Sequence, residues 1–257
     1  MEFTFVRKER KYLLPYDLYE ELREEITIYL IRERFKEFNP ESFVKSVYFD
    51  NSELELYHDH KNGVRQRFKI RIRQYGMGRF YYRKSWIELK EKINGTSLKS
   101  RFRLKTKLIP DFLEGRNIST QLIKYNKKAN VDQVVNTYHQ IRDKIEKYHL
   151  EPIIKIGFKR EAFRSPEQKV RITFDRNLYF KPMQNSFLEP VKIFEMYPMR
   201  IVIMETKTVG PQPCWLKAIL SKYKLKKQKF SKYCSSIENI YTPNVCLNIN
   251  SKEREYG

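Results

Sequence analysis

The chain has 257 residues and a formal net charge of +21, from 52 Lys and Arg against 31 Asp and Glu. This charge favours an anionic partner such as nucleic acid, anionic lipid or a phosphorylated substrate. No stretch reaches the about 18 apolar residues of a membrane span, and the N-terminus lacks a signal-peptide pattern. The three cysteines have no metal-type spacing and fit a reducing compartment. We therefore predict a cytoplasmic protein with no transmembrane segment, and leave open a membrane partner protein.

The pattern predicts one domain over residues 1–241, followed by a loose polar tail at 242–257. The predicted elements, in chain order, are a strand at 3–14, a helix at 17–34, a strand at 43–50, a short helix at 51–59, a strand at 67–74, a hairpin at 86–107, helices at 118–125 and 131–148, a hairpin formed by 153–163 and 169–178, a strand at 199–208, a helix at 215–223 and a last helix ending near 241. The sequence His58-Asp59-His60 favours an exposed turn over a metal cluster.

The hairpin at 86–107 carries the clearest local signal. Asn94-Gly95 separates two alternating segments, which is typical of a type I′ turn. Successive side chains of a strand point to opposite faces, so residues two apart share a face. The charged residues that share one face of this hairpin are Glu88, Lys90, Lys92, Lys99, Arg101 and Arg103.

Other strands repeat this division into a charged and an apolar face. The charged sets are Lys69, Arg71 and Arg73; Lys169, Arg171, Thr173 and Asp175; and Arg7, Glu9 and Lys11. The segment 201–207 is apolar on both faces until Glu205 and Lys207, which indicates a buried strand whose two charges are paired or used. Such strands predict a closed sheet with helices outside and a charged lumen. A lumen of like charges is costly when empty and favours a polyanion that fills it.

Nine short motifs in chain order resemble one known family. They are Glu9-Arg10-Lys11-Tyr12, Ser46-Val47-Tyr48-Phe49-Asp50, Arg71-Ile72-Arg73-Gln74-Tyr75-Gly76, Glu88-Leu89-Lys90, Lys99-Ser100-Arg101-Phe102, Lys159-Arg160-Glu161-Ala162-Phe163, Val170-Arg171-Ile172-Thr173-Phe174-Asp175 with Met204-Glu205-Thr206-Lys207, and Phe230-Ser231-Lys232-Tyr233. Over residues 5–240 the chain resembles the catalytic domain of the vacuolar transporter chaperone (VTC) polyphosphate polymerases, a branch of the triphosphate tunnel metalloenzymes. The resemblance implies an α+β fold, a closed antiparallel β-barrel of about eight strands that forms a triphosphate tunnel flanked by helices.

The resemblance also implies an activity and its residues. The expected reaction is metal-dependent transfer of the γ-phosphoryl group of ATP to a growing polyphosphate chain, with Mn²⁺ or Mg²⁺ as cofactor and Glu205 as metal ligand. Phosphoryl transfer needs positioning and neutralised oxygens more than covalent help, which suits a lining of Arg and Lys. The residues implied to clamp the triphosphate are Lys11, Arg71, Arg73, Lys90, Lys99, Arg160 and Arg171. The further residues implied to bind substrate are Glu9, Arg101, Lys207, Lys229 and Lys232.

Three alternatives stay open. The first is a tripolyphosphate or nucleoside-triphosphate hydrolase of the same fold. The related CYTH triphosphatases begin with Glu-x-Glu-x-Lys, whereas Arg7 stands here in place of the first carboxylate, which favours a polymerase. The second is a nucleic-acid-binding module, although non-specific binding to nucleic acid is expected in any case. The third is a catalytically silent scaffold that binds polyphosphate or phosphate. The sequence makes no prediction of product length, primer, preferred metal or oligomeric state.

Overall fold

One antiparallel sheet organises the structure. The computed structural model describes residues 7–35, 39–77, 80–127, 129–183, 194–195 and 201–241. The strands are β1 (Arg7–Pro15), β2 (Ile31–Arg32), β3 (Glu41–Asp50), β4 (Gln66–Met77), β5 (Phe80–Ile93), β6 (Thr96–Lys105), β7 (Glu151–Arg164), β8 (Val170–Pro182), β9 (Phe194–Glu195) and β10 (Ile201–Val209). The helices are α1 (Tyr16–Ile26), α2 (Glu55–Lys61), α3 (Ile109–Leu113), α4 (Ser119–Tyr125), α5 (Val131–Lys147), α6 (Cys214–Lys222) and α7 (Lys232–Tyr241), with a 3₁₀ turn at Thr106–Leu108.

The predicted hairpin with its type I′ turn is confirmed. Asn94 and Gly95 have φ of 48° and 88°, the two left-handed positions that this turn requires. The turn sets the register of β5 against β6, in which Glu88 lies opposite Arg101 and Lys90 opposite Lys99. The charged side chains of the two strands therefore fall on one face.

The sheet curls, but its two edge strands are not hydrogen-bonded to each other. Its order is β1-β10-β8-β7-β3-β4-β5-β6, with β2 on β7 and β9 on β8. Five strands separate β1 from β5 in this order. Even so, Lys90 of β5 lies near β1: burial lowers its pKa, Glu9 opposes that shift and Lys11 adds to it. This proximity shows how far the sheet bends.

Closure into a barrel is not confirmed. Among the described residues no pair joins β1 to β6. The backbone N–H of Gln228 donates to the carbonyl oxygen of Lys11 at 2.9 Å. The chain that leads into α7 therefore lies on the edge of β1 that β6 would need. The finding is an α+β fold with a strongly curved open sheet.

Two helical layers cover the outer face of the sheet. The first packs α2, α3, α4 and α5 on β4, β5 and β6, around Phe102, Phe112 and Ile141. The second packs α1 and α6 on β1, β8 and β10, around Tyr19, Phe174 and Met204. The division of each strand into an apolar and a charged face explains this arrangement, since the apolar faces of β4, β5 and β6 all point to the first layer.

The inner face of the sheet is covered at one end by α7. Tyr233, Cys234 and Ile237 of this helix pack with Ile203 of β10 and Phe158 of β7. The continuous apolar run of β10 predicts burial on both faces, and this is confirmed. Ile203 packs against α7 on the inner face, whereas Val202 and Met204 pack into the outer layer. The charged residues of β10 lie beyond this apolar end on the same inner face.

Two local predictions differ from the structure. The first helix ends at Ile26 rather than near Arg34, because a turn follows, Leu30 is buried, and Ile31 pairs with β7 as part of β2. The sequence 58–60 lies in α2 rather than in a turn. The described residues contain no cluster of three or more His, Cys, Asp or Glu that could hold a metal.

Several predictions concern residues outside the described part. The tail at 242–257 and the start of the first predicted strand, at residues 3–6, lie there. The single-domain boundary at 241 stays a prediction. None of the helices in the described ranges is both long and apolar enough to cross a membrane.

Candidate functional site

Cations from several strands meet on the inner face, and three buried carboxylates hold them there. Glu88, Asp175 and Glu205 are 1%, 0% and 8% exposed. Each belongs to a different strand, and each binds at least one of the predicted site residues. The carboxylates therefore divide the site into three ion-pair groups.

Glu88 of β5 organises the first group. Nη2 of Arg71 lies 2.6 Å from its Oε2, and Nζ of Lys99 lies 2.7 Å from its Oε1. Arg101 is more distant, with Nη1 at 3.6 Å from Oε1. Burial alone would raise the pKa of Glu88, but Arg71, Arg73 and Lys99 outweigh it and hold that pKa well below its usual range. Glu88 is therefore ionised and keeps β4 and β6 cations side by side.

Asp175 of β8 organises the second group. Arg160 binds it with both ends of its guanidinium, Nε to Oδ1 at 2.5 Å and Nη2 to Oδ2 at 2.7 Å. Nζ of Lys232, at the start of α7, lies 2.5 Å from Oδ2. Burial would raise the pKa of Asp175, but the two cations lower it to about 2. This group joins α7 to the inner face.

The third group is a square of alternating charges on β1 and β10. In the register of the two strands, Glu9 lies opposite Lys207 and Lys11 opposite Glu205. Nζ of Lys207 is 2.9 Å from Oε1 of Glu205 and 3.6 Å from Oε2 of Glu9, and Nζ of Lys11 is 3.6 Å from Oε1 of Glu9. Burial would raise the pKa of Glu205, but Lys207, Arg160 and Lys11 together lower it. Glu205 is therefore an ionised carboxylate close to the cations of its own group and to Arg160 of the second group.

This third group fits a divalent cation of the Mg²⁺ or Mn²⁺ type. Such ions prefer oxygen ligands, and phosphate sites commonly supply one or two carboxylates and leave the other positions to phosphate oxygens and water. Glu205, with Glu9 on the adjacent strand, offers that donor set. No nitrogen or sulfur ligand lies among the groups described above.

Tyr48 of β3 is a site residue that the sequence analysis did not identify. Its hydroxyl accepts a hydrogen bond from Nη1 of Arg71 at 3.1 Å, and its ring stacks on Tyr233 at 5.3 Å. Burial would raise the pKa of Tyr48, but Arg71 and Arg73 outweigh it and lower that pKa to about 7. Nε of Arg73 is in turn held by Ser46 Oγ at 3.0 Å.

Three of the predicted residues, Arg171, Arg101 and Lys229, have neighbours outside the three groups. Arg171 is bound by Glu33, which follows β2, with Nη2 of Arg171 at 2.8 Å from Oε2. Arg101 places its guanidinium carbon 4.0 Å from the ring centroid of Trp86. Lys229 lines a basic cleft of about 960 Å³ together with His60, Lys61, Gly63, Arg65, Arg67, Lys92, Asn94, Gly95 and Phe230.

His60 in this cleft is held in its neutral form. Burial lowers its pKa to about 3, and Lys69 and Arg67 act in the same direction. Lys69 itself points to α7, with Nζ at 2.9 Å from Ser231 Oγ. Alternation placed Lys69, Glu88 and Asp175 on charged faces, but their roles depend on partners distant in the sequence, and no local signal identifies those.

Comparison with known proteins places the chain in a family. The VTC domain family model matches residues 6–241. The chain is 28% identical over 260 residues to vacuolar transporter chaperone complex subunit 4 of Trypanosoma cruzi, covering 89% of this chain and 31% of that protein. It is 27% identical over 158 residues to subunit 2 of the same complex in Saccharomyces cerevisiae, covering 56% of this chain and 19% of that protein. The chain thus spans less than a third of either relative.

A solved protein from Pyrococcus horikoshii OT3 is 12% identical, with a TM-score of 0.45 over 91% of this chain and 99% of that one. The family assignment depends on the family model, which covers almost all described strands and helices. The chain belongs to the VTC domain family.

Proposed function

We propose that this protein is a metal-dependent polyphosphate polymerase that transfers the γ-phosphoryl group of ATP to a growing polyphosphate chain. One observation carries the proposal. Cations from six strands, β1, β4, β5, β6, β7 and β10, meet on one inner face, where they outnumber the carboxylates that hold them. A chain of phosphates would supply the missing negative charge.

The residue types suit that ligand. The guanidinium forks of Arg71, Arg73 and Arg160 match pairs of phosphate oxygens, whereas Lys11, Lys90 and Lys99 act as compact point charges. Further contacts to phosphate are proposed for Arg171, Arg101, Lys229 and Lys232. Because phosphoryl transfer depends on in-line positioning and charge neutralisation, a rigid set of cations is the main contribution a protein has to make.

Glu205, with Glu9 beside it, would hold the metal. The carboxylates alone would repel phosphate oxygens, and a divalent ion bound to them would neutralise those oxygens. Buried Glu205 is ionised in the absence of ligand, so no proton has to leave before a cation binds. Lys207 and Lys11 keep the two carboxylates in place.

The family relationship supports the choice of partners. Both of these relatives are named as subunits of a vacuolar transporter chaperone complex. We propose that this chain likewise works with protein partners, that it acts from the cytoplasmic side, and that it contacts nucleic acid only non-specifically. ATP and polyphosphate are its proposed substrates.

A product assay tests the proposal. Incubation with ATP and Mn²⁺, followed by a polyacrylamide gel, should give a ladder of long phosphate chains. Inorganic phosphate without a ladder would instead indicate the hydrolase, and binding of tripolyphosphate without turnover would indicate the scaffold. The Glu205→Gln variant should lose the ladder, while Glu20→Gln, an exposed residue of α1, should keep it.

A competition experiment addresses the nucleic-acid alternative. At physiological salt, non-specific contacts to phosphates hold an oligonucleotide only weakly. Tripolyphosphate that binds the inner cations should therefore displace it completely. An oligonucleotide that stays bound while tripolyphosphate occupies the protein would contradict the proposal.

A further inference from the structure

We propose that Lys207 is a tethered cation that takes the position of a second divalent ion between Glu9 and Glu205, so that the site accepts one metal ion rather than two. This inference rests on the proposed function in so far as it concerns the metal site of that activity. It adds a residue that determines how many ions the site takes.

The position of the Lys207 ammonium is the first observation. Nζ lies 2.9 Å from Oε1 of Glu205 and 3.6 Å from Oε2 of Glu9. One atom therefore contacts carboxylates from two adjacent strands, and these two oxygens are at most about 6.5 Å apart. A cation between two such carboxylates offsets a repulsion that would otherwise push them apart.

The strand register is the second observation. Glu9 lies directly opposite Lys207, while Glu205 lies opposite Lys11 and two residues before Lys207. Side chains at these positions share one face, so the Lys207 ammonium is within reach of both carboxylates. The backbone pairing therefore brings these three side chains together.

The neighbouring cations each have a further partner outside this pair of carboxylates. Lys11 reaches Glu9 at 3.6 Å and also donates to the carbonyl oxygen of Phe230 at 3.0 Å. Nε and Nη2 of Arg160 both bind Asp175. Lys207 is thus the cation that Glu9 and Glu205 share by direct contact in the ion pairs of the described residues.

A neutral residue at position 207 should turn the pair of carboxylates into a stronger site for divalent ions. Methionine has nearly the length of lysine without its charge, so Lys207→Met leaves the space and removes the cation. Two carboxylates without a bridging charge attract a divalent ion more strongly than two that share an ammonium. We expect Mn²⁺ to bind Lys207→Met at least about tenfold more tightly than the unmodified chain.

Electron paramagnetic resonance of Mn²⁺ measures this without any nucleotide. The six-line signal of free Mn²⁺ decreases as the ion binds, and a titration of the full chain gives affinity and stoichiometry. Lys69→Met is the matched control, because Lys69 lies on the inner face but contacts Ser231 and Cys234 rather than a carboxylate. The double variant Glu9→Gln/Lys207→Met should lose most of the gain.

The outcomes separate this inference from the proposed activity. Tighter Mn²⁺ binding and a second bound ion per chain in Lys207→Met, absent from Lys69→Met and reversed in the double variant, support it even if no polyphosphate is ever formed. An unchanged affinity or stoichiometry, an equal gain in Lys69→Met, or a gain that survives Glu9→Gln would overturn it. A thermal melt shows whether each variant is folded. If Lys207→Met does not fold, Lys207→Gln repeats the test.

Discussion

Two buried glutamates show how similar ion pairs serve different purposes. Glu161 on the outer face and Glu88 on the inner face are both 1% exposed, and both bind arginine. Glu161 accepts a hydrogen bond from the Tyr19 hydroxyl at 2.8 Å, is paired with Arg32, and has Arg23 at 4.0 Å. It lies under α1, where Tyr19 is fully buried.

The difference lies in what surrounds the cations. The partners of Glu161 fix α1 and β2 to β7, and Arg32 and Arg23 themselves stay partly exposed, at 38% and 34%. The partners of Glu88 sit beside further cations, Arg73 and Lys90, on a face that carries an excess of positive charge. A buried pair is therefore structural where its partners join elements of the fold, and suited to a ligand where it lies among many further cations on an open face.

The largest expected effect separates the two pairs by activity. Arg71→Ala should reduce the rate of polyphosphate synthesis by about 10²–10³-fold, as loss of one preorganised electrostatic contact does in other enzymes. Arg32→Ala also removes an arginine from a buried glutamate, but on the outer face. It should lower thermal stability while leaving the rate per folded molecule close to normal. Equal losses of rate in the two variants would end the distinction between the faces.

The second prediction compares stability with and without ligand. Glu161→Gln should cost about 2 kcal/mol of unfolding free energy, because it weakens the buried hydrogen bond from Tyr19 to a charged group. Glu88→Gln should also destabilise the free protein, but tripolyphosphate should restore much of that loss by pairing with Arg71 and Lys99. Urea denaturation with and without tripolyphosphate measures both. If the ligand rescues Glu161→Gln as well as Glu88→Gln, the two glutamates are equivalent.

The sequence predicts the strands and their two faces well because alternation is a local property. Charged and apolar residues two apart place Lys99, Arg101 and Glu205 on a face without any knowledge of the fold. The hairpin turn at Asn94-Gly95 follows from the same local logic, since few residues adopt two successive left-handed conformations.

Contacts between distant segments were not predictable in this way. Two examples are the ion pair of Asp175 with Lys232 and the contact of Gln228 with the edge of β1. Both depend on how far the sheet bends and where α7 packs. The same limit explains the prediction of a closed barrel, since alternation fixes faces but says nothing of which edges meet. It also explains why alternation did not reveal that the buried Tyr48 contacts Arg71.

The third prediction concerns Tyr48. Its pKa of about 7 means that the phenol ionises near neutrality in the free protein. A phenolate beside Arg71 and Arg73 would compete with phosphate, so ionisation has to be reversed for tight binding. Tripolyphosphate affinity should fall about tenfold between pH 6 and pH 8 relative to Tyr48→Phe. Titration calorimetry of both proteins at the two pH values cancels the ionisation of the ligand itself, and parallel pH profiles would show that Tyr48 stays protonated.

The smallest expected effect is that of Lys99. Burial lowers its pKa to about 8, although Glu88 opposes the shift. The pKa of Lys99 in the folded protein lies below the about 10.4 of an unfolded lysine. As pH rises through 8, the folded protein therefore loses this proton before the unfolded chain does. Stability therefore increases with pH between about 8 and 10.4, whereas affinity for a polyanion decreases, because a neutral amine no longer pairs with phosphate.

Lys99→Arg tests this assignment, since guanidinium stays charged throughout that range. At pH 8 the tripolyphosphate affinity of the unmodified chain should be about twofold lower, relative to its own value at pH 6, than that of Lys99→Arg. The contribution of Tyr48 is common to both proteins and drops out of the ratio. An identical pH dependence would mean that Glu88 keeps Lys99 charged at pH 8. The Glu88–Lys99 pair would then behave as a structural ion pair, like that of Glu161 and Arg32.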